Sequence, residues 1–232
     1  MSVELLDYPK AALKMVVNTG YERTWRINSC FKEPHTVRWL DEYIEEGDVF
    51  YDVGANVGAY SLIAAHLGAQ VYAFEPEAMN YGRLVQNVGL NKLEEKIKAL
   101  PLALWDRHRI ETMYGTVFTC GAASHKFEQN GTQSLQQAVF TVQMDDLTMH
   151  HIPLPNIVKI DVDGYEERVV NGAVFALANL QLKTLMVEVD YINERSAQHV
   201  LGSVRSAGLT EYHSHQHTET LITHFFARGR KG

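Results

Sequence analysis

The run Val49-Phe50-Tyr51-Asp52-Val53-Gly54-Ala55-Asn56-Val57-Gly58 constrains the fold of this chain more than any other stretch. Its first residues read as a strand buried on both faces, a glycine turn follows, and Gly58 opens a helical pattern. A second apolar run, Val71-Tyr72-Ala73-Phe74, ends on the acid Glu75. Strand, glycine turn, helix and an acid at the next strand end form the nucleotide-binding corner of a doubly wound α/β sheet. There a helix N-terminus and a carboxylate hold a ribose-bearing cofactor.

Two cofactor classes use such a corner. The dinucleotide fingerprint needs G-x-G-x-x-G, so that the backbone can approach a pyrophosphate. Here Asn56 stands in place of the middle glycine, and Gly58 comes too early for the last one. Asp52, two residues before Gly54, would repel a pyrophosphate and suits a cationic cofactor. S-adenosylmethionine carries a sulfonium and an ammonium and no phosphate. Glu75 serves either class, because both contain a ribose diol. The residues expected to bind S-adenosylmethionine are therefore Asp52, Gly54, Asn56, Gly58 and Glu75.

At 232 residues the chain is long enough for one well-cored α/β domain and short for two. Residues 1–34 are expected to form an N-terminal β-hairpin extension and residues 35–232 the main domain. The hairpin is placed at 11–30, with 14–17 and 22–27 flanking the turn-forming Asn18-Thr19-Gly20. Residues 35–46 read as an amphipathic helix stopped by Gly47. Strands are expected at 48–53, 70–75, 96–104, 157–161 and 184–189. Helices are expected at 57–67, 77–89, 165–179 and 194–207, and a hairpin at 209–216 and 220–227 closes the chain. Strand-helix alternation of this kind calls for a mostly parallel sheet. Residues 109–118 and 138–143 look extended, and the polar stretch 119–137 between them reads as a loop.

A formal net charge of −7 argues against a general nucleic-acid binder. No apolar run is long enough to span a bilayer, and the N-terminus has no signal-peptide core, so a cytoplasmic protein is expected. Cys30 and Cys120 read as plain thiols in a reducing compartment.

Ligands of open α/β sheets sit beyond the carboxyl ends of the strands. Two such ends carry charge: Lys159-Ile160-Asp161-Val162-Asp163-Gly164 and Glu188-Val189-Asp190. Asp161 is the first choice for the reacting centre, as a base or as the group that orients a nucleophile. Lys159 would either lower the pKa of an acceptor hydroxyl or neutralise the carboxylates around it. Glu188 reads as a second catalytic group or as a partner of Lys159. Asp161, Asp163, Glu188 and Asp190 show no dedicated metal-ligand spacing, so no metal is assigned. His213, His215 and His217 would share one face of a strand, with metal capture and a solvated hairpin face both open. Asn87 and Asn91 are read as fixing a helix end, and Glu77 as an acid at a helix N-terminus.

The stretch 52–61, Tyr72-Ala73-Phe74-Glu75-Pro76-Glu77, Asn87 with Leu90-Asn91, and 158–164 together resemble the FkbM family of S-adenosylmethionine-dependent methyltransferases. The resemblance covers roughly residues 33–190. One departure is Asp163, where the family more often has glutamate. The resemblance implies a class I methyltransferase sheet, Rossmann-like, seven-stranded and mostly parallel, with a C-terminal antiparallel hairpin. It also implies methyl transfer, commonly to an oxygen, but does not name the acceptor; a small molecule or glycan is expected, and the acidic balance of the chain argues against a nucleic acid. The alternatives are a non-catalytic module that binds S-adenosylmethionine and, further off, an NAD-dependent oxidoreductase.

Overall fold

The structure is a computed structural model that describes residues 2–123, 126–128 and 135–229. It begins with strands β1 (Ser2–Leu5) and β2 (Lys14–Val17), then helices α1 (Ser29–Lys32) and α2 (Pro34–Tyr43). The central unit runs β3 (Val49–Val53), α3 (Ala59–His66), β4 (Gln70–Phe74), α4 (Ala78–Leu90) and β5 (Ile97–Leu100). Three strands of a side sheet follow, β6 (Ala103–Leu104), β7 (Arg109–Gly115) and β8 (Leu135–Val142). The chain then continues through β9 (Ile157–Ile160), α5 (Glu166–Asn171), α6 (Val174–Ala178), β10 (Thr184–Asp190), α7 (Glu194–Ser206), β11 (Leu209–Gln216) and β12 (Leu221–Arg228).

Seven strands form one sheet in the order β11-β12-β10-β9-β3-β4-β5. The run β10-β9-β3-β4-β5 is parallel, and β12 and β11 join antiparallel. The expected sheet, with its C-terminal antiparallel hairpin, is the one found. Its central strands β3, β4, β9 and β10 are mostly apolar because both of their faces are covered, whereas the edge strand β11 is polar and largely exposed. Leu40, Phe50, Leu62 and Val71 pack on one face, while Val158, Leu185, Val204 and Phe226 pack on the other.

The hairpin expected at 11–30 is a correction. β2 pairs with β1, Ser2 opposite Val17, and residues 22–26 form a wide helical turn instead of a strand. The cause is Glu22, which is buried. Its carboxylate accepts the backbone N–H groups of Asn18 and Thr19, and it pairs with the equally buried Arg83 at 2.7 Å. A strand would have carried that carboxylate away from those donors.

Two further departures have local causes. The helix expected over 165–179 is broken at Gly172, where a Cβ would lie 1.8 Å from the carbonyl oxygen of Trp105. α6 restarts under Asp145, whose carboxylate accepts the N–H groups of Phe175 and Ala176. The strand expected over 96–104 is split between β5 in the main sheet and β6 in the side sheet. Of the loop expected at 119–137, residues 124, 125 and 129–134 lie outside the described residues, and 135–137 belong to β8, whose pairing with β7 extends the strand beyond the expected 138.

Candidate active site

The first turn after β3 is shaped by contact with β9. Gly54 has φ +83°, and a Cβ there would sit 1.8 Å from the carbonyl oxygen of Asp161. Only glycine lets the two strand ends close to this distance. The N–H groups of Gly54 and Ala55 donate to Phe74 O at the end of β4. Asn56 follows at φ +50°, a left-handed turn that asparagine tolerates. Its backbone N–H donates to Glu75 Oε2 at 2.7 Å, and its side-chain amide donates to Ala122 O. Glu75 Oε1 accepts the N–H of Glu77. Burial pushes the Glu75 carboxyl up to about 7, with the two backbone donors pulling the other way.

A cleft of about 920 Å³, counting the part open to solvent, lies beyond these strand ends. Gly54, Asn56 and Glu75 lie on its wall together with Asp161 and Glu188. Asp52 and Gly58, by contrast, are not among the lining residues. Asp52 is fully buried beneath the turn, with Oδ2 accepting from Ser61 Oγ at 2.6 Å and Oδ1 3.5 Å from Lys159 Nζ. Gly58, at φ +91°, instead makes room for Leu84 of α4.

Lys159 is likewise buried under the cleft. Its Nζ donates to Asp161 Oδ2 at 3.0 Å and lies 5.4 Å from the centre of the Tyr60 ring. Burial acts to discharge this ammonium, but Asp161, Asp52 and Glu33 hold its pKa above the ordinary lysine value. Burial also opposes the charge on Asp161, yet Lys159 keeps that carboxyl below its usual range. The neutralising role weighed for Lys159 is thus the one its geometry fits.

Glu188 lies near the end of β10, with no lysine or arginine at bonding distance among the described residues. Burial first, then the charges of Asp161 and Glu33, push its carboxyl up to about 9. Adjacent carboxyls therefore differ in state at neutral pH: Asp161 is ionised and Glu188 holds a proton.

Several site residues carry no motif. Arg26 and Lys32, from the segment that leads into α2, line the cleft. Arg26 Nε donates to Gly121 O, and Lys32 Nζ pairs with Glu33 at 2.7 Å. Leu104, Trp105, Met113 and Phe127 form an apolar wall. Trp105 packs against Phe127 and Tyr165 with tilted rings, and its buried indole N–H has no hydrogen-bond partner among the described residues. Asn80 also reaches the cleft, its Oδ1 accepting the N–H of Gly121. A cleft lined by the acids Glu75, Asp161 and Glu188 would not attract a pyrophosphate, whereas those acids beside an apolar slot suit an adenosyl sulfonium. The residues present fit S-adenosylmethionine.

Asn87 and Asn91 do not face the cleft. Asn87 accepts from Val16 N and donates to Val57 O, and Asn91 bonds both backbone groups of Lys14. They fasten α4 to β2. Glu77 caps α4 by accepting from the N–H groups of Met79 and Asn80. Among the described residues no group of three or more His, Cys, Asp or Glu side chains is arranged to hold a metal ion, and no helix is long and apolar enough to cross a membrane.

Comparison with known proteins bears on the family and the fold. The chain is 29% identical over 174 residues to the hexuronic acid methyltransferase AglP of Haloferax volcanii, an alignment that covers 72% of this chain and 66% of that one. It is 33% identical over 97 residues to the 31-O-demethyl-FK506 methyltransferase FkbM of Streptomyces tacrolimicus, covering 41% and 36%. The chain thus spans less than two thirds of the length of either relative. The crystal structure of an rRNA-methylase-like protein from Clostridium thermocellum superposes with a TM-score of 0.57 at 10% identity, over 87% of this chain and 97% of that one, which speaks to fold alone. The sequence profile of the methyltransferase FkbM domain matches residues 52–224, from the buried carboxylate of β3 to the middle of β12. The chain belongs to the FkbM family of S-adenosylmethionine-dependent methyltransferases.

Proposed function

We propose that this protein transfers a methyl group to an oxygen of a glycan or small molecule. The observation that carries this reading is the convergence of two strand-end carboxyls, Asp161 and Glu188, on the cleft wall that holds Gly54, Asn56 and Glu75.

S-adenosylmethionine, when bound, supplies an electrophilic methyl on a positively charged sulfur. Gly54, Asn56 and Glu75 are the residues that would hold it, with Glu75 accepting from ribose hydroxyls and Trp105 and Leu104 covering the base. Asp52, Gly58 and Lys159 act from below, by fixing the turn and the end of β9. Asp161, ionised and held by Lys159, orients the acceptor through a polar group beside the reacting hydroxyl, whose own proton faces Glu188. Glu188 faces the same space and manages the proton. The segment 1–34, which brings Arg26 and Lys32 to the cleft, forms the acceptor side.

A sugar or small-molecule acceptor is supported by the relative that acts on a hexuronic acid. The net charge of −7 and the acids of the cleft disfavour a nucleic acid. The test is label transfer from radiolabelled S-adenosylmethionine to a heat-cleared cell extract, followed by mass identification of the product. A labelled saccharide or small molecule is expected. Labelled RNA would refute the acceptor class. Stabilisation by S-adenosylhomocysteine with no labelled product would make the protein a binding module.

A further inference from the structure

The histidine run is not used by the cofactor pocket, yet its last member reaches the reacting end of the cleft. Glu188 on β10 stands opposite Thr223 on β12, and His217 follows directly after β11. His217 Nε2 lies 2.8 Å from Thr223 Oγ1 and 3.5 Å from Glu188 Oε2, and Thr223 Oγ1 lies 3.5 Å from the same carboxyl oxygen. Thr223 is buried, while His217 keeps 17% of its side chain open to solvent. The three groups form a short polar line from the cleft wall to water. The other histidines continue outward: His215 meets His217 edge-on at 4.8 Å and stacks on His35 at 4.1 Å.

We infer that His217 is the positioning residue and proton carrier for Glu188, an assignment that rests on the methyl-transfer reading above. As the bond from acceptor oxygen to methyl forms and the methyl–sulfur bond breaks, the acceptor O–H proton passes to one oxygen of the Glu188 carboxyl. The proton already on that carboxyl leaves through the Thr223 hydroxyl to Nε2 of His217. The imidazolium then returns it to solvent, and no other reactant is needed.

The protonation states agree with this direction of flow. Glu188 is faced by Asp161, Glu33, Lys159 and Lys32, and burial with the two acids keeps it protonated up to about 9. His217 is faced by Glu188, Glu33, Asp161, His215 and Lys32, and burial lowers its pKa below the ordinary imidazole value. At neutral pH the carboxyl has a proton to give and the imidazole has room to take one.

The experiment is the initial rate of label transfer from radiolabelled S-adenosylmethionine to the extract acceptor pool, between about pH 6 and 9.5. The proteins compared are the parent, His217→Gln, Thr223→Val, and His217→Gly with and without added imidazole. The parent should show a plateau through neutral pH. His217→Gln and Thr223→Val should be slower at pH 7 by roughly 10²-fold, with rates that climb about tenfold per pH unit towards pH 9, because Glu188 must then ionise to act alone. Imidazole should restore His217→Gly. Stabilisation by S-adenosylhomocysteine should match the parent in every variant. Rates within about threefold of the parent with an unchanged pH profile would overturn the relay and leave methyl transfer standing. Absence of label with the parent itself would overturn the methyl-transfer reading and the relay with it. Should His217→Gln fail to fold, Thr223→Val carries the same test, since valine keeps the shape and suits a strand.

Discussion

Lys159 and Asp161, two residues apart on one face of β9 and its extension, are joined Nζ to Oδ2 at 3.0 Å, with the lysine only 1% exposed. Asp52 shares the same ammonium from β3 at 3.5 Å. One buried cation thus serves two acids, and removing it strands both. Lys159→Met should destabilise the protein by about 3–5 kcal/mol. Lys159→Met combined with Asp161→Asn should recover part of that loss, because one of the two orphaned charges is gone. Urea denaturation of the two variants decides it. Equal stability of the parent and Lys159→Met would show that the pair does not hold the strand ends.

Glu188 makes folding pH-dependent in a stated direction. Its folded pKa, about 9, lies above the ordinary glutamate value of 4.5. Folding therefore takes up a proton between those values. The contribution is fully present below pH 4.5 and is lost as pH rises through 9. Within that window one proton corresponds to about 1.4 kcal/mol of stability per pH unit. Glu188→Gln cannot take up the proton, so its stability should fall less steeply between pH 5 and 9 than that of the parent. Denaturation midpoints measured across that range test the claim, and parallel curves would refute it.

Gly54 and Gly58 both adopt positive φ, but the space around them differs. A methyl at Gly54 meets a backbone carbonyl at 1.8 Å, whereas one at Gly58 meets the end of the Leu84 side chain at 2.4 Å. A backbone must move as a whole, while a leucine tip can rotate. Gly58→Ala should cost about 1–3 kcal/mol, mainly from its left-handed φ. Gly54→Ala should cost more than about 4 kcal/mol and abolish binding of S-adenosylhomocysteine. Thermal melts with and without that ligand rank the two, and a milder effect at Gly54 would contradict the packing argument.

The sheet and its order of elements were legible because each main strand is a short apolar run bounded by turn residues. Period and punctuation suffice for that. What stayed hidden depends on partners distant in sequence. Glu22 reads as one more polar residue in an extended pattern until Arg83, 61 positions away, is seen to pair with it. Gly172 looks tolerable inside a helix until the Trp105 carbonyl arrives beside it. At the site, strand-end residues were found by their position, and Gly54, Asn56, Glu75, Asp161 and Glu188 do meet at one cleft. Depth along the strand is what position alone misjudged. Asp52 and Lys159 lie side by side one step below the cleft, and Asp161, two residues further along the same face as Lys159, reaches its wall. Arg26 and Lys32 had no signal, since neither lies in a motif and both come from the segment whose fold was misread.

That difference between wall and underlay separates two acids that the motif treats alike. Glu75 faces the cleft and accepts two backbone N–H groups. Asp52 bonds Ser61 and Lys159 and lines no open space. Hydrogen bonds to a carboxylate contribute about 1.5–3 kcal/mol each, so a ligand that relies on Glu75 feels its loss directly. Glu75→Gln should weaken binding of S-adenosylhomocysteine by roughly 10- to 100-fold, the equivalent of that energy. Asp52→Asn should instead lower stability by about 1–3 kcal/mol, with affinity for the folded protein changed by less than about threefold. Calorimetric titration and urea denaturation of both variants test the pair of claims together. If Asp52→Asn is the one that loses the ligand while Glu75→Gln keeps it, the assignment of Glu75 to the cofactor is wrong.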